Sequence, residues 1–283
     1  MGDLAEDTAV TGAGGRYTAN LSRDWEIWGP NGGYVASVAL RAAGEHSRFD
    51  RPASIVGHYL GVARFDAVDV EVSVLRAAKR AESMRVSLTQ HGEPIFEALV
   101  WAVGDVDGLE HDITSIPETR DPETVPSTAD RLAAAGRPQW YPFWSNLDQR
   151  LHDWVDDPEA YENRAPTDPV YGAWYRYVPA STFDDLWVDA CRSLILLDTL
   201  VWPAASNLHV DRAYMAPSID IAAGFHRFRP REPWLYAQAT ATSSANGIVG
   251  GDARVWARDG SLLAVGSSQL LCRPAPPPET APP

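Results

Sequence analysis

The run Tyr34-Val35-Ala36-Ser37-Val38-Ala39-Leu40-Arg41-Ala42-Ala43 carries one charge and turns apolar or small side chains in almost every direction around a helix. A helix that is apolar nearly all round must be covered on all sides, and its Ala and Ser residues let that cover approach closely. The following text supplies the cover. After Pro52 the apolar period changes to two, over residues 55–60, 68–75, 83–90 and 95–103, and His91-Gly92 signals a turn between the last two runs. One buried helix wrapped by at least four antiparallel strands is the expected result.

The same order of signals then recurs. Residues 183–201 read as a second helix, with Asp184 and Asp185 placed to cap its positive end and Pro203 to stop it. Residues 218–228, 234–243, 251–258 and 262–272 are strand-like, and Asp259-Gly260 is a hairpin signal. Residues 17–25, Trp154 and residues 171–178 also read as strand. Each half is thus a helix followed by four strands, with its last hairpin in the same place. Internal duplication explains this economically; two unrelated α+β domains of similar layout is the other reading. Between the halves, residues 104–137 are rich in Asp and Glu, with prolines at 117, 122 and 126, and read as a surface linker. Residues 1–14 read as a loose terminus. The division is a first repeat over 15–104, a linker over 105–139 and a second repeat over 140–274.

Composition narrows the function. A chain of 283 residues that is 45% hydrophobic can build a sizeable core, and a net charge of −14 repels phosphate backbones, so no nucleic-acid partner is expected. Only Cys191 and Cys272 are present, which excludes a disulfide framework. The beginning, Met1-Gly2-Asp3-Leu4-Ala5-Glu6, lacks the apolar run of a signal peptide, and no stretch reaches the ~18 apolar residues of a membrane span. A cytoplasmic location is expected. There is no Gly-x-Ser-x-Gly elbow, which argues against a serine α/β-hydrolase, and no His-Glu-x-x-His, close pair of cysteines, glycine-rich phosphate loop or dinucleotide fingerprint, so neither a metal nor an organic cofactor is expected.

The segments Gly29-Pro30-Asn31-Gly32-Gly33-Tyr34-Val35, Ile55-Val56-Gly57-His58-Tyr59, Gly92-Glu93-Pro94-Ile95-Phe96, Phe225-His226-Arg227 and the hairpin from Asp259-Gly260 to Arg273 resemble the double-hotdog acyl-CoA thioesterases, in order and in separation, over about residues 17–274. The resemblance implies an α+β tandem double hotdog, each half an antiparallel sheet wrapped around a long buried helix. It also implies hydrolysis of an acyl-CoA thioester by water, without a metal or cofactor, and homo-oligomers paired through hotdog sheets. A non-catalytic acyl-thioester binding protein of the same fold is the alternative. A hotdog hydratase is disfavoured, because none of the 7 histidines has an aspartate five residues before it.

Asn31-Gly32-Gly33 stands where a loop enters the first helix. Free N–H groups there, aided by the helix dipole, suit a developing oxyanion; a plain turn and helix start is the structural alternative. Asp198 interrupts the apolar run Leu194-Ile195-Leu196-Leu197-Asp198-Thr199-Leu200, and a buried carboxylate needs a partner or a chemical role. The resemblance makes it the base that activates water, with Ser218 at a hydroxyl position and Gln269 at a glutamine position. A one-residue gap puts Ser268 there instead, and pairing of Asp198 with Arg192 is the structural alternative. His58 matches a histidine near the thioester in such enzymes, or is a satisfied strand residue. Arg227 and Arg229, beside His226, are candidates for coenzyme A phosphates, or belong to a solvated loop. Finally, aligning the helices by their apolar runs places the counterpart of Asp198 near Arg41, so one working site per chain is expected.

Overall fold

The computed structural model describes residues 1–139, 141–155, 157–210 and 213–275. The first half comprises α1 (Leu4–Asp7), β1 (Thr11–Ala13), β2 (Arg16–Asn20), α2 (Gly32–His46), β3 (Arg51–Tyr59), β4 (Ala67–Ala77), β5 (Ala81–Gln90) and β6 (Glu93–Val103). After it come α3 (Thr128–Ala134), β7 (Leu147–Leu151), α4 (Pro158–Glu162), β8 (Val170–Tyr177), α5 (Leu186–Thr199) and α6 (Val201–Leu208). The chain then forms β9 (Tyr214–Met215), β10 (Asp220–Phe225), β11 (Leu235–Ala245), β12 (Ile248–Ala257), β13 (Leu262–Leu271) and β14 (Arg273–Pro274).

Twelve strands form one sheet in the order β1-β2-β4-β5-β6-β3-β10-β13-β12-β11-β8-β7, while β9 and β14 pair separately. The order reads the same outward from its centre, and this is the signature of the expected duplication. The halves join where β3 and β10 pair antiparallel, from Asp220 opposite His58 to Gly224 opposite Ser54. Period-two patterning is plain in β5, where Glu82, Met84, Val86, Leu88 and Gln90 are buried and alternate with less buried residues. Both long helices lie inside the curved sheet, with almost every residue from Gly33 to Ala43 and from Trp187 to Thr199 buried.

The helices cross closely because small residues permit it. A Cβ on Gly33 would lie 2.6 Å from Ile195 Cα, and Cys191 Sγ sits 3.8 Å from the Ser37 carbonyl. Asp185 caps α5 as expected, its carboxylate accepting from Trp187 N at 2.8 Å.

Four expectations are corrected. The beginning of the chain is docked rather than loose: Leu4 is buried, Gly2 N donates to Asn146 Oδ1 at 2.8 Å, and Trp25 Nε1 donates to Asp7 Oδ2 at 2.9 Å. The linker contains α3. Pro203 does not end the helical path, since it lies in the first turn of α6, where a missing N–H leaves no bond unmade. Trp154 lies outside the strands, beyond the end of β7.

The linker is fastened across the outer face of the second half. Trp256 Nε1 donates to Thr114 Oγ1, Trp174 Nε1 to the Arg120 carbonyl, and Trp234 Nε1 to Glu123 Oε1. Trp174, Trp234, Tyr236 and Trp256 form a small apolar cluster under this strap. Its acidic residues find arginines: Asp112 pairs with Arg227 at 2.7 Å, and Asp121 pairs with Arg258.

Candidate active site

Three chain segments meet at Asp198, near the end of α5. The start of α2 is the first. Asn31 caps that helix, its Oδ1 accepting from Tyr34 N at 3.0 Å while its Nδ2 donates to Thr199 Oγ1 at 3.0 Å. The cap therefore also ties the two helices together beside the carboxylate. Gly33 N–H donates to Asp198 Oδ2 at 2.7 Å. The Gly32 N–H donates to no acceptor among the described residues, and a Cβ on Gly32 would lie 2.7 Å from Asp198 Oδ2. Glycine is required at this point because the carboxylate occupies the side-chain space.

The end of β3 is the second segment: Tyr59 donates its phenol to Asp198 Oδ1 at 3.1 Å. The stretch leading into β10 is the third, where the Ser218 hydroxyl faces the carboxylate. Asp198 itself is only 4% exposed. Burial pushes its carboxyl up to about 6, opposed by hydrogen bonding from Ser218, Tyr59 and Gly33 and reinforced by the negative charge of Asp220. A group poised there is largely ionised at neutral pH yet still basic enough to take a proton.

The structure separates the other sequence candidates from this cluster. Arg192 does not pair with Asp198; it is buried against Asp189 and donates to the carbonyls of Ser181 and Glu232 at 2.9 and 2.7 Å. His58 is exposed on the outer face of β3, opposite Asp220, because successive strand residues point to opposite faces. Its neighbour Tyr59 is the one that reaches Asp198. Gln269 is likewise exposed on β13, whereas Ser268 is buried on the inner face with its Oγ unpartnered. Ser268 lies between two close approaches to α5 and α6, since a Cβ on Gly266 would meet Leu197, and one on its cross-strand partner Gly251 would meet Val201.

Of the three amides at the head of α2, Asn31 N–H is spent on the Trp25 carbonyl at 2.9 Å and Gly33 N–H on Asp198, so among the described residues the Gly32 N–H alone is left without an acceptor. Arg227 and Arg229 lie toward the other end of α5. Arg229 N donates to Asp189 Oδ2 at 3.3 Å, and Asp189 precedes Asp198 by about 13 Å of helix. Arg227 is bound to Asp112, and Arg229 to Asp259 at 3.3 Å and Ser261 Oγ at 3.0 Å, so neither is a free cation.

Counted from the first residue of each helix, Gly33 corresponds to Trp187 and Asp198 to Gly44 rather than to Arg41. A Cβ on Gly44 would lie 2.7 Å from the Trp187 ring, so an indole fills what is a carboxylate site in the other half. Arg41, one turn earlier, pairs with Asp185 at 2.9 Å.

An apolar rim borders the cluster. Trp28 packs edge-on against Trp202 with ring centroids 6.2 Å apart, and a Cβ on Gly29 would lie 3.9 Å from Val62. Tyr59 N donates to the Ile219 carbonyl at 3.0 Å. Trp28, Leu60, Val62 and Ile219 all keep substantial exposure.

Comparison with known proteins bears on the fold and the family. Residues 21–103 match the family described as acyl-CoA thioesterase N-terminal domain, and residues 120–272 match the acyl-CoA thioesterase C-terminal domain. A hot-dog-fold protein of unknown function from Alicyclobacillus acidocaldarius superposes with a TM-score of 0.80 at 20% identity, covering 96% of this chain and 98% of that one. An acyl-CoA thioesterase II from Mycobacterium marinum superposes at 0.76 with 18% identity, over 96% and 99% of the two chains.

Proposed function

The chain belongs to the acyl-CoA thioesterase family and is a thioesterase of double-hotdog fold, and from that premise we propose that Asp198 activates water for attack on an acyl-CoA thioester. The observation that carries this reading is a buried carboxylate beside an unpaired helix-start amide: Asp198 Oδ2 lies 2.7 Å from Gly33 N, and a Cβ on Gly32 would lie 2.7 Å from that oxygen. Water bound to Asp198 gives up a proton to the carboxylate as its oxygen bonds to the thioester carbon. The Gly32 N–H, at the positive end of α2, holds the oxyanion. Collapse of the tetrahedral species breaks the carbon–sulfur bond, and the departing coenzyme A thiolate takes up the proton held by Asp198, which restores the carboxylate.

Ser218 and Ser268 position the water in this scheme, and Gln269 drops out because of the face it occupies. Small hydroxyls in place of a long amide leave more room beside the carboxylate. The apolar rim of Trp28, Leu60, Val62 and Ile219 supports an apolar acyl group. The uncovered outer sheet face with Val56, Leu99 and Trp101 exposed supports pairing of sheets between copies, and the two unpaired cysteines fit a cytoplasmic setting. None of the helices described is long and apolar enough to cross a membrane.

Steady-state release of free thiol from a panel of acyl-CoAs, compared between wild type and Asp198→Asn, is the direct test. Loss of about 10²–10⁴-fold in kcat is expected for a positioned general base. Activity within a few-fold of wild type would remove Asp198 from the chemistry.

A further inference from the structure

We propose that Tyr59 is a positioning residue for the Asp198 carboxylate, its phenol holding Oδ1 while the Gly33 amide holds Oδ2. The proposal rests on Asp198 being the base. It starts from what Asp198 lacks. A buried carboxylate is ordinarily kept charged by a cation, and among the described residues none pairs with it. The two arginines buried on these helices are committed elsewhere, Arg41 to Asp185 and Arg192 to Asp189. The groups that act on Asp198 are the Gly33 N–H of α2, the Tyr59 phenol of β3, the Ser218 hydroxyl before β10 and the like charge of Asp220 on β10. On its own helix, Thr199 donates to the Ile195 carbonyl at 2.7 Å and accepts from Asn31, so it is occupied. The anion therefore depends on neutral donors, and Tyr59 is the one that takes the oxygen Gly33 leaves free.

Packing alone does not explain a tyrosine here. Its ring lies against Phe96, with centroids 4.9 Å apart, and Phe96 in turn rests over Gly57, where a Cβ would fall 2.3 Å from Cζ of that ring. Phenylalanine would fill the same volume. What tyrosine adds is a hydroxyl placed both on Asp198 Oδ1 and 3.1 Å from the point where a Cβ on Gly32 would stand. Burial and the adjacent carboxylate keep the phenol protonated far above neutral pH, so it acts as a donor and not as a second base. Two donors on two oxygens fix the plane of the carboxylate, and with it the direction in which a water can be held.

Tyr59→Phe tests the proposal. A hydrogen bond to a charged acceptor corresponds to about one pH unit or more, so the acid limb of the kcat/KM profile should move upward by about that much. Activity should fall about 5-fold or more near pH 6 and recover in part by pH 8.5, with the melting temperature at pH 7.5 lowered by only the about 2–3 °C that such a carboxyl shift carries. The Asp198 carboxyl, followed by carbon-13 NMR in aspartate-labelled protein and assigned by its loss in Asp198→Asn, should titrate higher by the same amount. An unmoved Asp198 titration in Tyr59→Phe overturns the proposal. A titration that moves while the activity profile stays fixed keeps the Tyr59–Asp198 link but removes Asp198 as the base. A merely structural tyrosine would lower the melting temperature and move neither curve.

Discussion

Replacing Asp198 by Asn should make the protein more stable while disabling it, by an amount that follows from the environment of the carboxyl. Burial raises this group from 3.8 to about 6, so its folded state binds a proton more tightly than its unfolded state. Stability from this group is then fully present below pH ~4 and is lost as pH rises through 6. The loss amounts to about 3 kcal/mol at pH 7.5 and about 1 kcal/mol at pH 4.5. Asparagine has the same shape and no charge to desolvate. Its amide oxygen can accept the Gly33 N–H that Asp198 Oδ2 accepts at 2.7 Å, and Tyr59 and Ser218 can turn their hydroxyls toward its amide. Weaker hydrogen bonds offset part of the gain, leaving about 1–3 kcal/mol, or about 2–6 °C in melting temperature for a chain of this size. Thermal unfolding of both proteins from pH 4.5 to pH 8 checks this. The difference should favour the variant and widen with pH. A difference that is flat across this range, or that favours wild type at pH 7.5, refutes the reasoning that Asp198 is a desolvated, ionised group at neutral pH.

Gly32→Ala should lower kcat by about 10²-fold or more, because the new methyl stands 2.7 Å from Asp198 Oδ2 and 3.1 Å from the Tyr59 hydroxyl. Asp198 and Tyr59 must give way to that methyl, so the loss comes from a displaced carboxylate, and unaltered thiol release would show that the position of Asp198 beside Gly32 does not matter to the chemistry. Gly33→Ala should instead cost about 1–3 kcal/mol or more, since its Cβ meets Ile195 backbone at 2.6 and 3.0 Å and the helices must part; denaturant unfolding with no loss would show that the crossing is slack. Arg227→Ala with Arg229→Ala should leave KM for an acyl-CoA within about two-fold and speed proteolysis of the strap that Asp112 anchors. A tenfold rise in KM that added salt suppresses would return these arginines to phosphate binding.

The duplication and the buried carboxylate of Asp198 were legible in the sequence because both are contrasts within one periodic segment. A charge inside an apolar helix stands out, and so does a helix almost without charges. The residues that sequence reasoning misplaced, His58 and Gln269, sit in strands, where a neighbour faces the opposite way and phase depends on register. Each lies one residue from a side chain that points inward, Tyr59 and Ser268. The tyrosine had no signal of its own, since an aromatic at a strand end reads as core. Gly33 was legible in its place but not in its role, because the acceptor an amide meets depends here on the second helix, 165 residues away in sequence. The strap was invisible because its partners are indoles scattered over β8, β12 and the segment before β11, each unremarkable alone.

The indole of Trp187 lodged against Gly44 has a genetic consequence. In an assembly of two identical single repeats, every residue occurs at both symmetry-related places, so a tryptophan that fills one site fills the other. Joining the copies in one reading frame ends that constraint, and a substitution is then felt at one place only. The fused chain could fill one of the two equivalent positions with an indole, hand its arginine to the cap of the neighbouring helix, and alter the other position without mirrored damage. Divergence between the two halves is therefore reached by single substitutions here, whereas a symmetric pair must accept each change twice.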